Sequence, residues 1–243
     1  MADQEPQQIA PGVYWSDELP STQDLAISSA SIREHGDVIA TDNQTAGRGR
    51  LDRTWDTPPG TAAAMSIVLR PRLAPQFMGM LTIVVADAMV RWLKQLDVPA
   101  AVKWPNDVLD VHGKKLCGIL AQWLPENQAV VIGLGTNLRF VECQRHERAA
   151  ALADYGVDIP AQEFVVTARQ RLLSAVERFC DEPDVKSLES TMSTVGQEVK
   201  AIMPNGKNIE GTAVGLGPTG SLLIAGETLQ EVFAADIVHL RPA

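Results

Sequence analysis

The sequence predicts an α/β (α+β) fold in which a larger domain, residues 1–190, precedes a small β-domain, residues 191–243. In the first part, apolar runs of strand length alternate with segments whose apolar residues recur at three- and four-residue steps, as in amphipathic helices packed on a sheet. After a polar link at residues 181–190, five short strand-like runs follow. A chain of 243 residues is long enough to bury a substantial core.

The elements of both domains are predicted from apolar periodicity and from the turn residues between them. The larger domain has predicted strands at residues 13–15, 38–41, 62–69, 102–109, 116–123 and 129–138. Its predicted helices cover residues 21–33, 75–96 and 164–179. The small domain has predicted strands at residues 197–203, 209–215, 221–224, 228–233 and 237–240. Because a β-module of about fifty residues is small, we expect it to be stabilised by packing against the larger domain.

The composition is that of an ordinary soluble globular protein, with 45% hydrophobic and 21% charged residues. The chain has 30 acidic against 21 basic side chains and a formal net charge of -9, which argues against broad nucleic-acid binding but allows a local basic site. The N-terminus is polar, and no apolar run approaches the length that spans a bilayer. We therefore expect a cytoplasmic protein that binds neither DNA nor membrane.

The cysteines and histidines indicate no disulfide framework and no metal site. Cys117, Cys143 and Cys180 are odd in number, widely spaced and without a Cys-x-x-Cys pair. Cys117 lies within an apolar alternation, which is typical of a small buried side chain. The four histidines lack metal-ligand spacing, and we assign none of them to chemistry.

A cationic glycine-rich segment follows the apolar run at residues 38–40. It places Gly47, Arg48, Gly49, Arg50 and Arg53 close together in a chain with an acidic excess. Glycine allows a backbone to approach a ligand closely, and arginine offers forked donors to carboxylate and phosphate. The segment is either a solvated loop or a lid over an anion.

Two further segments gather polar side chains at strand ends. Pro105 interrupts the strand predicted at residues 102–109, because proline cannot donate a ladder hydrogen bond and belongs at an edge, bend or bulge. Lys103, Asn106 and Asp107 can therefore point into a cleft, although an Asn-Asp pair is also an ordinary turn signal. Lys115 begins the next strand and is either an exposed turn lysine or a cation aimed into the same cleft.

Glycines and capping residues leave two other interpretations open. Gly118, Gly133 and Gly135 weaken the strands that contain them, which indicates close approach of a ligand or of another backbone. Ser21 and Thr22 are helix N-cap types. With Gln23, they could simply cap the helix, or they could present hydroxyl and amide groups to a neighbouring site.

Taken together and in order, these motifs resemble those of biotin protein ligases, also called biotin–[acetyl-CoA-carboxylase] ligases. The resemblance runs from about Ser21 to the C-terminus. The motifs are residues 44–50 (QTAGRGR) with Arg53 and Trp55, residues 103–107 (KWPND), Lys115 with residues 118–120 (GIL), and residues 132–137 (IGLGTN). The family implies a mixed-sheet catalytic domain followed by a small SH3-like β-barrel.

The resemblance also implies a reaction and its reactants. The family activates biotin with ATP to biotinyl-5′-AMP and transfers biotin to a lysine of a biotin carboxyl carrier domain of a carboxylase. ATP and biotin are substrates, and Mg²⁺ accompanies ATP, chiefly on its phosphate oxygens. The enzyme supplies positioning and fixed positive charge rather than a nucleophile.

By the same resemblance, site residues can be assigned to each reactant. Those expected to bind biotin are Ser21, Thr22, Gln23, Gln44, Arg48, Gly49, Arg50, Lys115 and Gly118. Those expected to meet the nucleotide or its magnesium are Arg53, Trp55, Lys103, Asn106, Asp107 and Asn137. The catalytic cations are Arg50 and Lys115, which would bridge the biotin carboxylate and the α-phosphate, and Arg53 and Lys103, which would meet the leaving pyrophosphate. Trp55 could equally anchor the end of the loop in the core.

The chain departs from the family pattern at three positions. Gln23 stands where the family usually has asparagine, Asp52 where it often has glycine, and Ala62 where asparagine is common. None of these changes removes a cation assigned to phosphate, so the activity expected from the resemblance stands.

Several related classes are less compatible with the motifs. A lipoate ligase would share the fold and the adenylation chemistry, but its motifs would not match this chain at residues 47–53 and 103–107. A non-catalytic biotin-binding module would need neither Lys115 nor Arg53. Because the ligase-like pattern starts by about Val13, we expect no N-terminal winged-helix domain and no repressor role. For the assembly state we expect a monomer or a weak homodimer.

Overall fold

A computed structural model describes residues 5–50, 53–55, 57–140 and 146–239. Asp52, Cys143 and Leu240, which enter the sequence-based expectations, lie outside these ranges. Within the described residues, the protein has a large mixed sheet flanked by helices and a second, antiparallel sheet built from the C-terminal part of the chain. This arrangement confirms the predicted α/β (α+β) fold with its C-terminal β-module.

The large sheet has eight strands in the order β1-β2-β3-β4-β8-β7-β6-β5. Its strands are β1 (Gln7–Ala10), β2 (Val13–Trp15), β3 (Val38–Thr41), β4 (Ala62–Leu69), β5 (Ala100–Lys103), β6 (Asp107–Asp110), β7 (Lys115–Leu124) and β8 (Ala129–Asn137). β2 and β3 are parallel, and the other neighbouring pairs are antiparallel. β4, β8 and β7 form the centre, where long apolar runs are buried.

Four α-helices accompany this sheet: α1 (Thr22–Ser28), α2 (Met80–Gln95), α3 (Ala161–Asp181) and α4 (Val185–Glu189). α2 and α3 cover one face, and their contact includes the rings of Trp92 and Phe164, whose centroids are 4.8 Å apart. Burying a large apolar side chain of this kind contributes about 1.5–3 kcal/mol. This face therefore holds most of the hydrophobic core of the large sheet.

The opposite face of the sheet is only partly covered, and this positions the site. Side chains alternate along β4, so that Met65 and Ile67 enter the core beneath α2 and α3, whereas Val68 packs on the α1 side. α1 is short and covers the sheet beside Ile39 and Val131. The remaining part of this face lies over the middle of β4, β8 and β7. It carries small residues, and other parts of the chain lie over it.

The C-terminal sheet has five antiparallel strands in the order β12-β11-β10-β9-β13. They are β9 (Glu198–Ile202), β10 (Asn208–Leu216), β11 (Leu222–Ala225), β12 (Leu229–Val232) and β13 (Asp236–His239). Its buried residues, such as Val199 and Ile224, belong to the same hydrophobic cluster as those beneath α2 and α3. The small module therefore shares a hydrophobic core with the larger part of the chain. The domain boundary at residue 190 stays a prediction.

Trp104 joins the two sheets at the turn between β5 and β6. Its side chain is 2% exposed, its Nε1 donates to the carbonyl of Gly220 at 2.9 Å, and its backbone nitrogen donates to Thr194 Oγ1 at 3.0 Å. The hydroxyl of Thr194 also lies 3.3 Å from His239 Nε2. The turn that carries Lys103 and Asn106 is thus attached to the C-terminal sheet.

Four expectations from the sequence differ from the structure. The first helix ends at Ser28 rather than near Arg33, and the isolated Ile32 is 79% exposed, so its apolar spacing reflected no packed face. The strand predicted at residues 102–109 is two strands, β5 and β6, separated by the proline turn.

The remaining two differences are elements that the sequence did not indicate. The predicted polar link contains α4, which is held by one buried residue, Leu188, and capped by the side chain of Asp184. β1 is an edge strand whose side chains are mostly exposed, so it shows little apolar pattern. Both elements are too short for periodicity to reveal them.

No helix within the part of the chain that the structure describes combines the length and the apolar character required to cross a bilayer. The longest described helix, α3, buries six side chains, which fits a helix packed on a sheet.

The bond between Trp104 and Gly220 makes a prediction about stability. Trp104→Phe should lower the free energy of unfolding by about 1–3 kcal/mol, because the buried carbonyl of Gly220 loses its donor. Urea denaturation measures this, with Trp123→Phe, a half-buried tryptophan of β7, as the matched control. Equal stability of Trp104→Phe and the wild type would show that the bond does not join the sheets.

Candidate active site

A cavity lies on the open face of β4, β8 and β7, with an empty volume of about 460 Å³. It is closed on one side by the start of α1 and on the other by the cationic loop. Most of the residues predicted from sequence line it together, namely Thr22, Gln23, Gln44, Arg48, Gly49, Arg50, Trp55, Asn106, Lys115 and Gly118. Segments separated by up to about a hundred residues in the chain therefore converge on one space.

The closed end of the cavity is a buried hydrogen-bonded cluster. The backbone nitrogen of Thr22 donates to Gln44 Oε1 at 2.9 Å, and the hydroxyl of Thr22 lies 3.2 Å from the same oxygen. Thr22 Oγ1 is 3.0 Å from Ser66 Oγ, which is 3.0 Å from Gln23 Oε1. Gln23 Nε2 donates to the carbonyl of Val131 at 3.2 Å. The cluster places side-chain oxygen atoms in the wall of the cavity.

The glycines of β7 and β8 allow protein side chains to lie directly on the sheet. A Cβ on Gly135 would lie 2.3 Å from Cε2 of Trp55, and one on Gly118 would lie 3.0 Å from Cζ3 of the same indole. A Cβ on Gly133 would lie 2.6 Å from Gln23 Oε1. The expected close approach is present, and the groups that approach are side chains of the protein rather than another backbone.

The cationic segment folds as a narrow ribbon over the cavity. Trp55 N donates to the carbonyl of Gly47 at 2.9 Å, and Gly49 N donates to the carbonyl of Arg53 at 2.7 Å. Because these bonds fix both sides of the turn, the guanidinium groups at its tip are carried to the cavity mouth. The segment therefore lies over the cavity, and we call it the lid; its role as a lid over an anion stays a prediction.

Oxygen acceptors from several elements hold the cations at the mouth. Arg50 Nη1 donates to Asn106 Oδ1 at 2.9 Å, and Lys115 Nζ is 2.6 Å from Asp107 Oδ1. Lys115 Nζ also lies 5.5 Å from the centroid of the Trp55 ring. Lys115 is thus held beside the indole, and Arg50 is held on Asn106.

The outer arginines of the lid form exposed ion pairs. Arg48 pairs with Asp24 of α1 at 2.7 Å, and Arg53 pairs with Asp236 of β13 in the C-terminal sheet. The side chains of Arg48 and Arg53 are 54% and 65% exposed, so these pairs are weak and an incoming anion can replace them. The lid is attached to α1 and to the C-terminal sheet by contacts that can open.

Lys103 is half-buried near the same charges. Burial lowers the pKa of Lys103, and the carboxylates of Asp107 and Asp236 oppose this effect, while the cations Lys115 and Arg148 add to it. The ammonium group of Lys103 is therefore within electrostatic reach of Asp107 and Asp236. These carboxylates pair with Lys115 and Arg53. Lys103 is not among the residues that line the cavity.

Two predicted site residues form hydrogen bonds that stabilise the local fold. The side chain of Ser21 accepts from the backbone nitrogen of Asp24 at 3.2 Å, as an N-cap. Asn137 Nδ2 donates to the carbonyls of Lys115 and Ala150, each at 3.1 Å. Of the Asn137 amide, only the oxygen is left for a ligand.

An open groove continues outward from the cavity and shares Gln44, Trp55 and Lys115 with it. Arg53 and Asn137 lie along this groove, so part of the set assigned to the nucleotide is outside the closed end. Trp55 lines both the cavity and the groove, whereas Asn106 lines the cavity and not the groove. The arrangement offers a closed polar end for a small ring and an open cationic mouth for a longer, charged molecule.

The sequence did not indicate two residues of this site. Ser66 is the single polar residue of the apolar run at residues 62–69, which was a usable signal. Asp236 lies in a short exposed strand and approaches Arg53 only through the packing of the two sheets, so the local sequence carries no sign of its contact.

Comparison with known protein families matches two parts of the chain. Residues 15–137 match the family described as "Biotin/lipoate A/B protein ligase family", and residues 194–240 match the "Biotin protein ligase C terminal domain". The first match includes the cavity and the lid, and the second covers the C-terminal sheet.

Individual proteins resemble the chain over most of its length. The biotin--[acetyl-CoA-carboxylase] ligase of Mycobacterium tuberculosis is 33% identical over 89% of this chain and 84% of its own. The bifunctional ligase/repressor BirA of Bacillus subtilis is 32% identical over 93% of this chain and 73% of its own. Among solved structures, the biotin protein ligase from Aquifex aeolicus in complex with biotin and ATP has a TM-score of 0.78 at 26% identity, covering 95% and 99% of the two chains.

The contact of the Trp55 indole with Gly118 and Gly135 leads to a second prediction. Gly135→Ala should displace the indole and lower the free energy of unfolding by about 1–3 kcal/mol, because the new Cβ overlaps the ring. With 5-fluorotryptophan labelling, the ¹⁹F resonance of Trp55 should move and respond to solvent. Gly79→Ala, at a position with open space around its Cβ, is the control. An unmoved Trp55 resonance would contradict the described packing.

Proposed function

Because the chain belongs to the biotin/lipoate A/B protein ligase family, we propose that its cavity and mouth form the site of a biotin protein ligase. The enzyme activates biotin with ATP to biotinyl-5′-AMP and transfers the biotinyl group to a lysine of a biotin carboxyl carrier domain. One observation supports this most directly. The polar closed end, the indole of Trp55 and the paired cations Arg50 and Lys115 all border one space.

In the first step, an oxygen of the biotin carboxylate attacks the α-phosphorus of ATP, the bond to the bridging oxygen breaks, and pyrophosphate leaves. Negative charge builds up on the phosphoryl oxygens during this transfer, and preorganised cations stabilise it. We assign Arg50 and Lys115 to bridging the carboxylate and the α-phosphate, and Arg53 and Lys103 to the leaving pyrophosphate.

In the second step, the neutral ε-amine of the carrier lysine attacks the acyl carbon of the mixed anhydride. An amide bond forms, the bond from carbon to the phosphate oxygen breaks, AMP leaves, and the amine loses a proton. The enzyme contributes by holding acyl carbon and amine together and by excluding water from the reactive anhydride. The lid, which folds over the cavity, suits the second task.

Before ATP binds, oxygen acceptors in the protein hold the phosphate-directed cations in place. Arg50 rests on Asn106, Lys115 on Asp107 and Arg53 on Asp236. The positive charges are therefore in position with little reorganisation, and phosphate oxygens can take over contacts that protein oxygens make in the free state.

Mg²⁺ would accompany ATP rather than occupy a protein cage. Among the described residues, no group of three or more histidine, cysteine, aspartate or glutamate side chains is arranged to hold a metal ion. Asn106 and Asp107 carry side-chain oxygen atoms near the cavity mouth that could act as metal ligands. Two such residues fit a cation that is held mainly by phosphate oxygens. The ion would supply further charge neutralisation on the phosphates.

The remaining assignments extend the proposal. We assign the biotin ring to Ser21, Thr22, Gln23, Gln44, Arg48, Gly49 and Gly118, and the nucleotide to Trp55, Asn106, Asp107 and Asn137 beside Arg53 and Lys103. For Asn137, this role falls to its amide oxygen, since its nitrogen is bonded to two backbone carbonyls. A carboxylase carrier domain as partner, cytoplasmic localisation, no contact with DNA, and a monomer or weak homodimer all stay predictions.

The decisive test offers the enzyme alternative acyl groups. The purified protein is incubated with ATP, a carrier domain and either biotin or lipoate, and the carrier mass is measured. We expect addition of the biotinyl mass, dependent on ATP and on the carrier lysine. Addition of a lipoyl group alone would make the protein a lipoate ligase, and binding of biotin without transfer would make it a non-catalytic module.

The position of Arg50 makes a prediction about the first step. Arg50→Ala should slow biotin-dependent pyrophosphate release by roughly 10²-fold or more, since a fixed charge at the transferring phosphoryl group is removed. Arg139→Ala, which breaks an exposed ion pair with Asp158 outside the cavity, is the matched control. Release at the wild-type rate in Arg50→Ala would remove Arg50 from the mechanism.

The ion pair between Arg53 and Asp236 makes a prediction about the lid. Asp236→Asn should increase hydrogen exchange of the described lid residues 46–50 and 53–55 by about twofold to fivefold without ligand, because an exposed pair contributes about 0.2–1 kcal/mol. Biotin with ATP should increase protection in both proteins. Asp158→Asn is the control. Unchanged exchange in Asp236→Asn, or no added protection by the ligands, would contradict the attached lid.

A further inference from the structure

One buried hydroxyl links a histidine of the C-terminal sheet to the turn between β5 and β6. Thr194 Oγ1 accepts a hydrogen bond from the backbone nitrogen of Trp104 at 3.0 Å, and it lies 3.3 Å from Nε2 of His239. Thr194 is 0% exposed, so water does not supply a further partner. Within the described part of the chain, these are the two partners of the Thr194 hydroxyl.

The number of protons in this contact selects the direction of the bond to His239. A hydroxyl has one proton to donate, and the oxygen of Thr194 already accepts the backbone N–H of Trp104. The Thr194 proton needs an acceptor, because leaving a buried donor unpaired is unfavourable. Nε2 of His239 is the acceptor within reach. His239 is therefore held as a neutral imidazole whose own proton is on Nδ1.

The charges around His239 favour the same neutral state. Burial lowers the pKa of His239, and the positive charge of Lys103 on β5 lowers it further. Other charged side chains on β13 and on the adjacent β9 have partners of their own: Asp236 pairs with Arg53, Glu198 accepts from Thr212, and Lys200 pairs with Glu210. Among the described residues, no carboxylate forms an ion pair with His239 that would favour the imidazolium.

The turn that is attached in this way carries the groups that hold the mouth cations. Asn106 Oδ1 accepts from Arg50 at 2.9 Å, and Asp107 Oδ1 is 2.6 Å from Lys115 Nζ. Lys103, at the end of β5, leads into the same turn. A shift of the turn relative to the C-terminal sheet would therefore move the supports of both cations and Lys103 with them.

We propose that neutral His239 is a positioning residue for the proposed first step, because it accepts the proton of Thr194 and so holds the β5–β6 turn in place. This inference rests on the proposed function and adds to it a group outside the cavity. Once Nε2 of His239 is protonated, it can no longer accept this hydrogen bond, and a second positive charge faces Lys103. The turn then loosens, and pyrophosphate release slows.

The direction of the pH dependence follows from the lowered pKa of His239. The unfolded chain binds this proton near the ordinary histidine pKa of 6.5, whereas the folded protein binds it at a lower pH. The contact of neutral His239 is therefore complete above pH 6.5 and is lost as the pH falls through the lower pKa of the folded state. The contribution of His239 to the rate should be lost below pH 6.5.

The test follows biotin-dependent pyrophosphate release from about pH 8 to about pH 5 in the full chain. His239→Leu removes the acceptor and should slow release by about threefold to tenfold at every pH, the scale of one hydrogen bond. His239→Gln should restore most of this loss, because an amide oxygen can accept from Thr194. Since glutamine does not titrate, the wild-type rate should fall about threefold to tenfold more than that of His239→Gln as the pH is lowered.

His112→Gln is the matched control, since His112 is an exposed histidine in the turn between β6 and β7. It should keep the wild-type pH profile. Circular dichroism at each pH checks that every variant is folded. If His239→Leu does not fold, the comparison of the wild type with His239→Gln still decides.

The ring ¹⁵N shifts of His239 report its proton independently of activity, and the loss of signals in His239→Gln assigns them. We expect Nε2 to be unprotonated at about pH 7.5 and the imidazole to titrate below pH 6.5. A protonated Nε2, or equal pH profiles of the wild type and His239→Gln, would overturn the role of His239. Absence of pyrophosphate release by the wild type at every pH would refute the proposed function instead.

Discussion

The bare face at the centre of the large sheet is the constraint on which the site depends. Gly118, Gly133 and Gly135 present no Cβ on the side not covered by α2 and α3, so Trp55 and Gln23 lie directly on the sheet. α1 reaches this area only with its first residues, and the lid ribbon covers another part of it. A longer helix or larger side chains would fill the space with core and leave no cavity.

Charge placement is the second constraint, because an acidic protein must hold cations where phosphates bind. The chain does so by supporting each mouth cation with an oxygen acceptor from a different element: Asn106 and Asp107 beside the β5–β6 turn, and Asp236 in the C-terminal sheet. Trp104 attaches the same turn to that sheet. The C-terminal module is therefore a structural part of the mouth, and its packing bears on the positions of the phosphate-directed cations.

The sequence predicted those features that depend on local pattern. β3 and β4 agree with the prediction residue for residue, because continuous apolar runs between turns leave little choice. The lid and the proline turn were recognised from residue types, and the structure brings both to one cavity. The end of α1 and the presence of α4 were missed, since one turn of helix gives too little periodicity and tertiary contacts decide it.

Contacts between distant segments could not be predicted from local pattern. The pairing of Arg53 with Asp236 requires both sheets to be packed, and the cluster of Ser66, Thr22 and Gln23 requires a strand and a helix to meet. The choice between site and cap for Ser21 was also open in the sequence. In the structure, its side chain caps α1.

The most direct test of the central claim is to identify what the protein retains after reacting without a carrier. The chain is incubated with ATP and biotin, separated from free small molecules by gel filtration, and its bound species is identified by mass spectrometry. We predict close to one equivalent of biotinyl-5′-AMP, formed with release of pyrophosphate and held beneath the lid. Retention of only unreacted biotin and ATP would contradict the account.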